Sequence, residues 1–342
     1  MLGYLLLFFS LFWIECKAKN YRTKMLLCFW VLSLFSGLRY GVGYDYFMYY
    51  EFIEDNFLDR EPIPALFIYI AHNTHFSFFF ISTSLFINYF FIKGLEARKC
   101  SMDSVYFYLG FPLFFFFSLS TVRQAMAYAV IFYMMCGKGN HWGKNFFLLF
   151  IAFLCHRSSL VAVLLFLPTD RIGKKMLCLI LGISLVIGEY ILKYLLSLNS
   201  DFFLLMQFQS FLESEFEGGN FKRILVYCLT FLVLIYYNEL NSSDKENHKF
   251  IVWTCIGGSL YALFNISSHV AERFCSFYFV AILILIPTLY RRMRIPKVIY
   301  RSLLVIMFAV SVYVAYCTSL QDNQWSKYRK ELYYPYKTIF ER

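Results

Sequence analysis

Apolar runs of roughly 17–25 residues, the length needed to cross a bilayer, recur along this chain from one end to the other, with short polar gaps between them. Such a pattern leaves few folds open. In hydrocarbon every backbone N–H and C=O must be satisfied internally, so only helices and closed barrels span a membrane, and runs of this length are helices. Hydrophobic residues make up 60% of the 342 and charged residues only 16%, too few to clothe a soluble domain of this size. The predicted fold is therefore all-α, a polytopic transmembrane helical bundle in which residues 1–342 form a single integral membrane domain. Hydropathy places segments near 2–15, 25–38, 76–92, 104–119, 121–136, 145–168, 176–196, 223–238, 250–268, 274–290 and 298–317, giving about 11–12 membrane segments in all.

Three function classes lose support at once. Met1 to Ile14 lacks the charged start and small-residue cleavage site of a signal peptide, so it reads as a retained first membrane segment. The ten cysteines are scattered without a CxxC pair, which gives neither a disulfide framework nor a zinc site. A net charge of +10 would suit a nucleic-acid partner, but the basic residues sit between membrane segments and report topology instead.

With the N-terminus outside and the chain alternating, the inner gaps collect 19 of the 32 basic residues and only 7 of the 22 acidic ones. That excess is the positive-inside signature. It holds only if 145–168 enters and leaves on the inner side, because Lys144 and Arg171 flank it. The segment then forms two half-membrane helices, a re-entrant pair broken at Cys155-His156-Arg157-Ser158-Ser159. Non-helical backbone at membrane depth must be buried in protein or line an aqueous cavity. One unbroken 24-residue helix is the alternative, and it would put Arg291, Arg292 and Arg294 outside.

Two long outer, periplasmic loops follow from this topology, at 39–75 and 197–223. The first reads as an interfacial helix followed by a half-helix opening at Pro62 and Pro64, and it carries Glu51, Glu54, Asp55, Asp59 and Glu61. The second, with Glu213, Glu215 and Glu217 before Gly218-Gly219, is a candidate lid.

Ionisable residues near membrane segments are costly and default to functional candidates. Arg39 opens RYGVGYDYFMYY, where Gly41 and Gly43 permit a tight turn that brings Asp45 back. A loop-pinning ion pair and a ligand site are both open there. Ser118, Ser120 and Thr121 are N-cap residue types, so a helix should begin at Thr121-Val122-Arg123-Gln124. Its start offers free N–H groups and the positive end of the macrodipole, and Arg123 adds bidentate hydrogen bonding. His156, with Arg157, has the proton affinity to act as a base near neutral pH. Glu272 and Arg273 stand near the start of the helix after His269, where Arg273 is a possible clamp and Glu272 a possible base or a plain ion-pair partner. His72 and His75 lack a third ligand, so no metal is expected, and no cofactor motif is present.

Assembled in order, these pieces resemble the EpsG/Wzy-type family of bacterial polysaccharide polymerases. The resemblance rests on RYGVGYDYFMYY, Glu61-Pro62, STVRQAMAYAV at 120–130, FLCHRSSLVAVLLFLP at 153–168, AERFCSFYF at 271–279 and the tail with Tyr334-Pro335-Tyr336-Lys337. It implies a GT-C-like, inverting, metal-independent glycosyltransferase of the bacterial inner membrane with its site facing the periplasm. Donor and acceptor would be undecaprenyl-diphosphate-linked oligosaccharides, from which O-antigen or a related surface polysaccharide is built. The surrounding partners would be membrane lipid and a chain-length regulator protein, with no nucleic acid. Arg123, Arg273, Arg39 and Arg157 would hold the diphosphate. His156, then Asp45 and Glu272, would serve as base, while Tyr44, Tyr46, Gln124 and Tyr278 would meet the sugars. A flippase for the same lipid-linked unit and an O-antigen ligase stay open beside it.

Overall fold

A computed structural model describes residues 2–137, 142–197, 220–244, 246–265, 268–320 and 336–341. The expected lid at 213–219 lies outside these residues. Among them the chain is helical throughout, apart from one two-stranded ribbon. It divides into two compact units, residues 1–160 with 296–342, and residues 161–295.

The first unit contains α1 (Leu2–Lys17), α2 (Tyr21–Gly37), α3 (Tyr46–Glu54), α4 (Pro62–Asn73), α5 (Ser77–Ala97), α6 (Met102–Gly110), α7 (Phe115–Ser120), α8 (Val122–Cys136), α9 (Trp142–Cys155) and the late helix α16 (Lys297–Leu320). Thirteen of the fifteen residues of α8 are buried. A helix apolar on every side belongs at the centre of a bundle, and α8 packs against α5 on one side and α9 on the other. The α5–α8 approach is close enough that a Cβ at Gly94 would come within 2.7 Å of the Phe132 ring. Here Phe91, Tyr108, Tyr128 and Phe132 form a continuous aromatic cluster, whose packing adds to the stabilisation from area burial alone.

The second unit is built on α13 (Asn247–Leu263), flanked by α10 (Lys174–Ser197), α11 (Asn220–Ile235) and α14 (Ser268–Phe279). Gly257 lies against the backbone of Phe279, and Gly258 against Thr230. Side chains at either position would push the helices apart. Two bends of 68° occur in this unit, between α11 and α12 (Tyr237–Ser243) and between α14 and α15 (Ile282–Arg292).

Ser77–Ala97 and Lys297–Tyr316 are each long and apolar enough to cross a membrane, and the number among the described residues rises to four if each bent pair is one span. This is a membrane protein, and among the described residues its full-length helices are fewer than the 11–12 expected segments. Backbone breaks account for part of the difference. The run at 104–119 is not one helix but α6 and α7, separated at Phe111-Pro112, because proline lacks the N–H that would carry a helix through. The expected break in 145–168 is present: α9 stops at Cys155, His156 is non-helical, and a 3-10 helix runs from Arg157 to Phe166. The first long loop, where an interfacial helix and a half-helix were expected, contains the helices α3 and α4.

Candidate functional site

The site begins with a loop that the protein holds rigidly. Gly41 and Gly43 both adopt positive φ, 64° and 110°, conformations that glycine enters without strain. A Cβ on Gly43 would stand 2.0 Å from the Leu119 carbonyl oxygen, so the loop lies directly on the α7–α8 junction. The Tyr44 N–H donates to Ser120 Oγ at 2.9 Å.

Arg39 is the anchor of this loop. It is 1% exposed. Its Nε donates to the Val42 carbonyl at 3.0 Å, its Nη2 to the Leu119 carbonyl at 3.3 Å, and its Nη1 to the Ser36 carbonyl. It also lies over the Phe80 ring. The expectation that Arg39 clamps a diphosphate gives way to a structural role, because backbone oxygens surround the guanidinium. Outside the loop, β1 (Arg39–Tyr40) pairs antiparallel with β2 (Lys337–Thr338), and Tyr336 stacks on Phe35 with centroids 4.1 Å apart.

α3 then carries Tyr49 into the interior, and α4 begins at Pro62 with Glu61 as the preceding residue. Proline suits the first helical position and holds the residue before it extended; Glu61 has φ −61° and ψ 146°. Its carboxylate makes no capping bond to its own helix and reaches elsewhere. Arg123 Nη1 donates to Glu61 Oε2 at 2.6 Å, His156 Nδ1 meets Oε1 at 2.8 Å, and the Arg157 N–H points at Oε1 from 3.4 Å. Arg123 Nε donates to the Tyr49 hydroxyl at 3.2 Å. Two separate features converge on this 6% exposed carboxylate at the start of α4: the start of α8 and the break after α9. Packing of α9 against both α8 and α4 brings them together.

Burial raises the cost of ionising Glu61, but the His156 hydrogen bond and the Arg123 charge outweigh it and hold the carboxyl well below the usual range. The anion that the α8 start was expected to attract is thus supplied by the chain itself. The expected side-chain cap of α8 is not made. Thr121 does precede α8, but its hydroxyl donates to the Phe117 carbonyl at 3.0 Å, and Ser118 Oγ to the Phe115 carbonyl at 2.6 Å. With α7 immediately before α8, the preceding turn's carbonyls take these hydroxyl protons.

Of the remaining candidates, Arg157 is exposed beside His156. Asp45 is half-buried one turn before Tyr49; burial, and after it the Asp45 charge, pushes the Tyr44 phenol up. Tyr46 is 1% exposed and stacked on Phe80 at 4.1 Å, while Gln124 is 2% exposed. Both are core side chains rather than sugar contacts. In the second unit Tyr278 is fully buried, and its hydroxyl donates to the Val161 carbonyl, so it too leaves the sugar-binding set. Glu272 is buried, and Lys222 Nζ reaches both its oxygens at 2.9 and 3.0 Å. It is the ion-pair partner that the sequence left open, with a lysine rather than an arginine, and is not disposed as a base. Arg273 sits half-buried on the same helix.

Glu61 is the residue that reading the sequence for chemistry missed. It stood as one of five acids in a long loop and, with Pro62, as a piece of the family resemblance, with no chemical role assigned to it. The available signal was its place directly before Pro62, where a helix start aims the side chain.

No curated protein and no solved structure matches this chain. The sequence profile of the EpsG family matches residues 22–338 of the 342, a span that includes Arg39, Glu61, Arg123, His156 and Tyr336, and the chain therefore belongs to the EpsG family.

Proposed function

We propose that this protein is a GT-C-like polysaccharide polymerase of the bacterial inner membrane, joining oligosaccharide units carried on undecaprenyl diphosphate at the periplasmic face. The observation that carries the reading is the Glu61 carboxylate shared between Arg123 and His156. Membrane sugar transfer from a lipid diphosphate needs two things: positive charge on the leaving group and a base for the acceptor hydroxyl. Arg123 supplies the charge at a helix start, where the macrodipole adds to it. Arg157, exposed one residue past His156, is a second source.

His156 is the base. With Nδ1–H donated to Glu61, the lone pair of the imidazole resides on Nε2, and the carboxylate stabilises the imidazolium once it forms. In one inverting displacement the acceptor oxygen attacks the anomeric carbon as its bond to the diphosphate oxygen breaks. The hydroxyl proton passes to Nε2, and the electron pair leaves with the diphosphate. Glu61 is a positioning residue in this scheme, and it is also the counter-ion that the donor diphosphate must displace from Arg123.

The polysaccharide ladder of a deletion strain tests the reading. Wild type should restore a ladder of repeat units. Arg123→Ala should leave single units attached to their acceptor, and Arg123→Lys should restore little, since a lysine lacks the bidentate fork. A wild-type ladder from Arg123→Ala would remove the anion site. If deletion stops even single units from reaching the outer surface, the block is in translocation and the flippase reading replaces this one. If single units reach the surface but are never joined to their final acceptor, the ligase reading does.

A further inference from the structure

The first unit holds a second built feature. α1 and α16 stand apart over a crevice enclosing about 430 Å³, walled by Tyr4, Phe8, Phe12, Leu304, Phe308 and Val312. Its two ends differ. Tyr4 packs on Phe35 and Tyr336, beside the clasp that holds Arg39, and Arg39 in turn bonds to Leu119 near Arg123. That end of α1 is therefore the end of the Glu61 cluster. Glu15 lies eleven residues further along α1, about 16 Å away at ~1.5 Å per residue, and closes the other end.

That far end is a polar pole. Arg301 on α16 pairs with Glu15, and the Tyr106 hydroxyl donates to the other Glu15 oxygen at 2.9 Å. Asp103 Oδ1 stands 3.9 Å from the same Arg301 nitrogen and is buried with no hydrogen-bond partner. Glu15 and Arg301 line the end of the crevice, and Asp103, buried outside the lining, backs the same guanidinium. The Arg301 side chain keeps 33% of its surface exposed. Lys297, one turn nearer the start of α16, is exposed and outside the lining. Along both walls Leu5, Phe9, Phe12 and Val305 are exposed, as expected of helix faces turned to lipid.

We propose that this crevice binds one zwitterionic phospholipid, an acyl chain lying between α1 and α16 and a phosphate-and-ammonium head group at the pole. The phosphodiester meets Arg301, and the ammonium meets Glu15, whose partner the phosphate has taken. An anionic head would take Arg301 from Glu15 and return no cation to it, and a neutral glycerolipid offers neither charge. A polyprenyl diphosphate fits worse still, since its head carries more negative charge and its proposed contacts are at Arg123, the opposite end. The site belongs to the leaflet away from the Glu61 cluster and stands whether or not polymerisation is the activity.

Native mass spectrometry of the full-length protein, equilibrated in micelles with equimolar phosphatidylethanolamine, phosphatidylglycerol of the same chains and undecaprenyl phosphate, tests this. One phosphatidylethanolamine should remain per chain, favoured over phosphatidylglycerol by roughly tenfold, which corresponds to ~1.4 kcal/mol. The double variant Glu15→Gln, Asp103→Asn should lose that preference yet retain lipid. Ala309→Phe, which fills the crevice from its rim, should retain none, with helicity by circular dichroism showing that it is folded. Preferential retention of phosphatidylglycerol or undecaprenyl phosphate would overturn the assignment of the pole, and unchanged retention by Ala309→Phe would overturn the crevice itself.

Discussion

Two buried carboxylates, Glu61 and Glu272, stand near the starts of helices in different units, and each meets a cation. The difference lies in how many groups each one serves. Glu272 has both oxygens on Lys222, a closed pair with its charge fully answered. Glu61 divides its oxygens between Arg123 and His156, groups whose own chemistry suits an anion and a hydroxyl. A carboxylate answered by one lysine locks two helices together. A carboxylate shared by an arginine and a histidine also sets the geometry of both and can release one while keeping the other.

The largest expected effect breaks that sharing. Glu61→Gln keeps the shape but removes the charge that orients His156 and occupies Arg123. Polymer formation should fall by roughly 10²–10⁴-fold, the usual contribution of a positioned acid–base group. Binding of a lipid diphosphate to the purified variant should become tighter, because Arg123 no longer has an internal rival. Loss of activity with weaker donor binding would mean that Glu61 only holds the fold. His156→Ala should lower activity to a similar degree but leave donor affinity unchanged, which separates the two partners of the carboxylate.

How legible was this in the sequence? The break at His156 was, because Lys144 and Arg171 flank the apolar run and the positive-inside count holds only if the chain returns to the side it entered from. Arg123 was legible too, as a cation where a helix had to begin. The meeting of the two was not. It depends on α9 packing against both α8 and α4, a long-range fact that no local pattern carries. The role of Glu61 was hidden for the same reason: Glu61-Pro62 carried part of the resemblance, but the partners of the carboxylate depend on where the helix starting at Pro62 aims it. Pro112 did announce the α6–α7 division, but the surrounding run 104–119 is so apolar that hydropathy reads through it. Tyrosines misled in the opposite direction. Tyr46 and Tyr278 have rings equally suited to a sugar face or a core, and burial, invisible in sequence, assigns them to the core.

A smaller effect sharpens the other side of the comparison. Glu272→Ala leaves Lys222 without its partner in a half-buried place, and stability should fall. A fully buried broken pair costs about 3–5 kcal/mol, but Lys222 keeps 27% of its side chain exposed, so about 1–3 kcal/mol is the expectation after screening. The double variant Lys222→Met, Glu272→Leu should recover most of that loss, since removing both charges also removes both desolvation costs. Both variants should retain the polysaccharide ladder at permissive temperature. Loss of the ladder in the stable double variant would show that the Lys222–Glu272 pair has a part in the chemistry.

The smallest effect is in the pH dependence of stability. The Glu61 carboxyl titrates well below its ordinary value of 4.5 because His156 and Arg123 hold it ionised. A group whose folded pKa is depressed binds its proton more readily in the unfolded chain, so its contribution is complete above about pH 5 and is lost as pH falls through and beyond the ordinary range. Thermal unfolding of wild type and Glu61→Gln, compared from pH 6 down to pH 3, should therefore converge: the wild type loses an increment that the variant never had. Every other carboxylate titrates in both proteins and cancels from the difference. Parallel curves across that range would mean that Glu61 gains nothing from its partners on folding, and the cluster would then be a contact without the electrostatic coupling that sets it apart from Glu272 and Lys222.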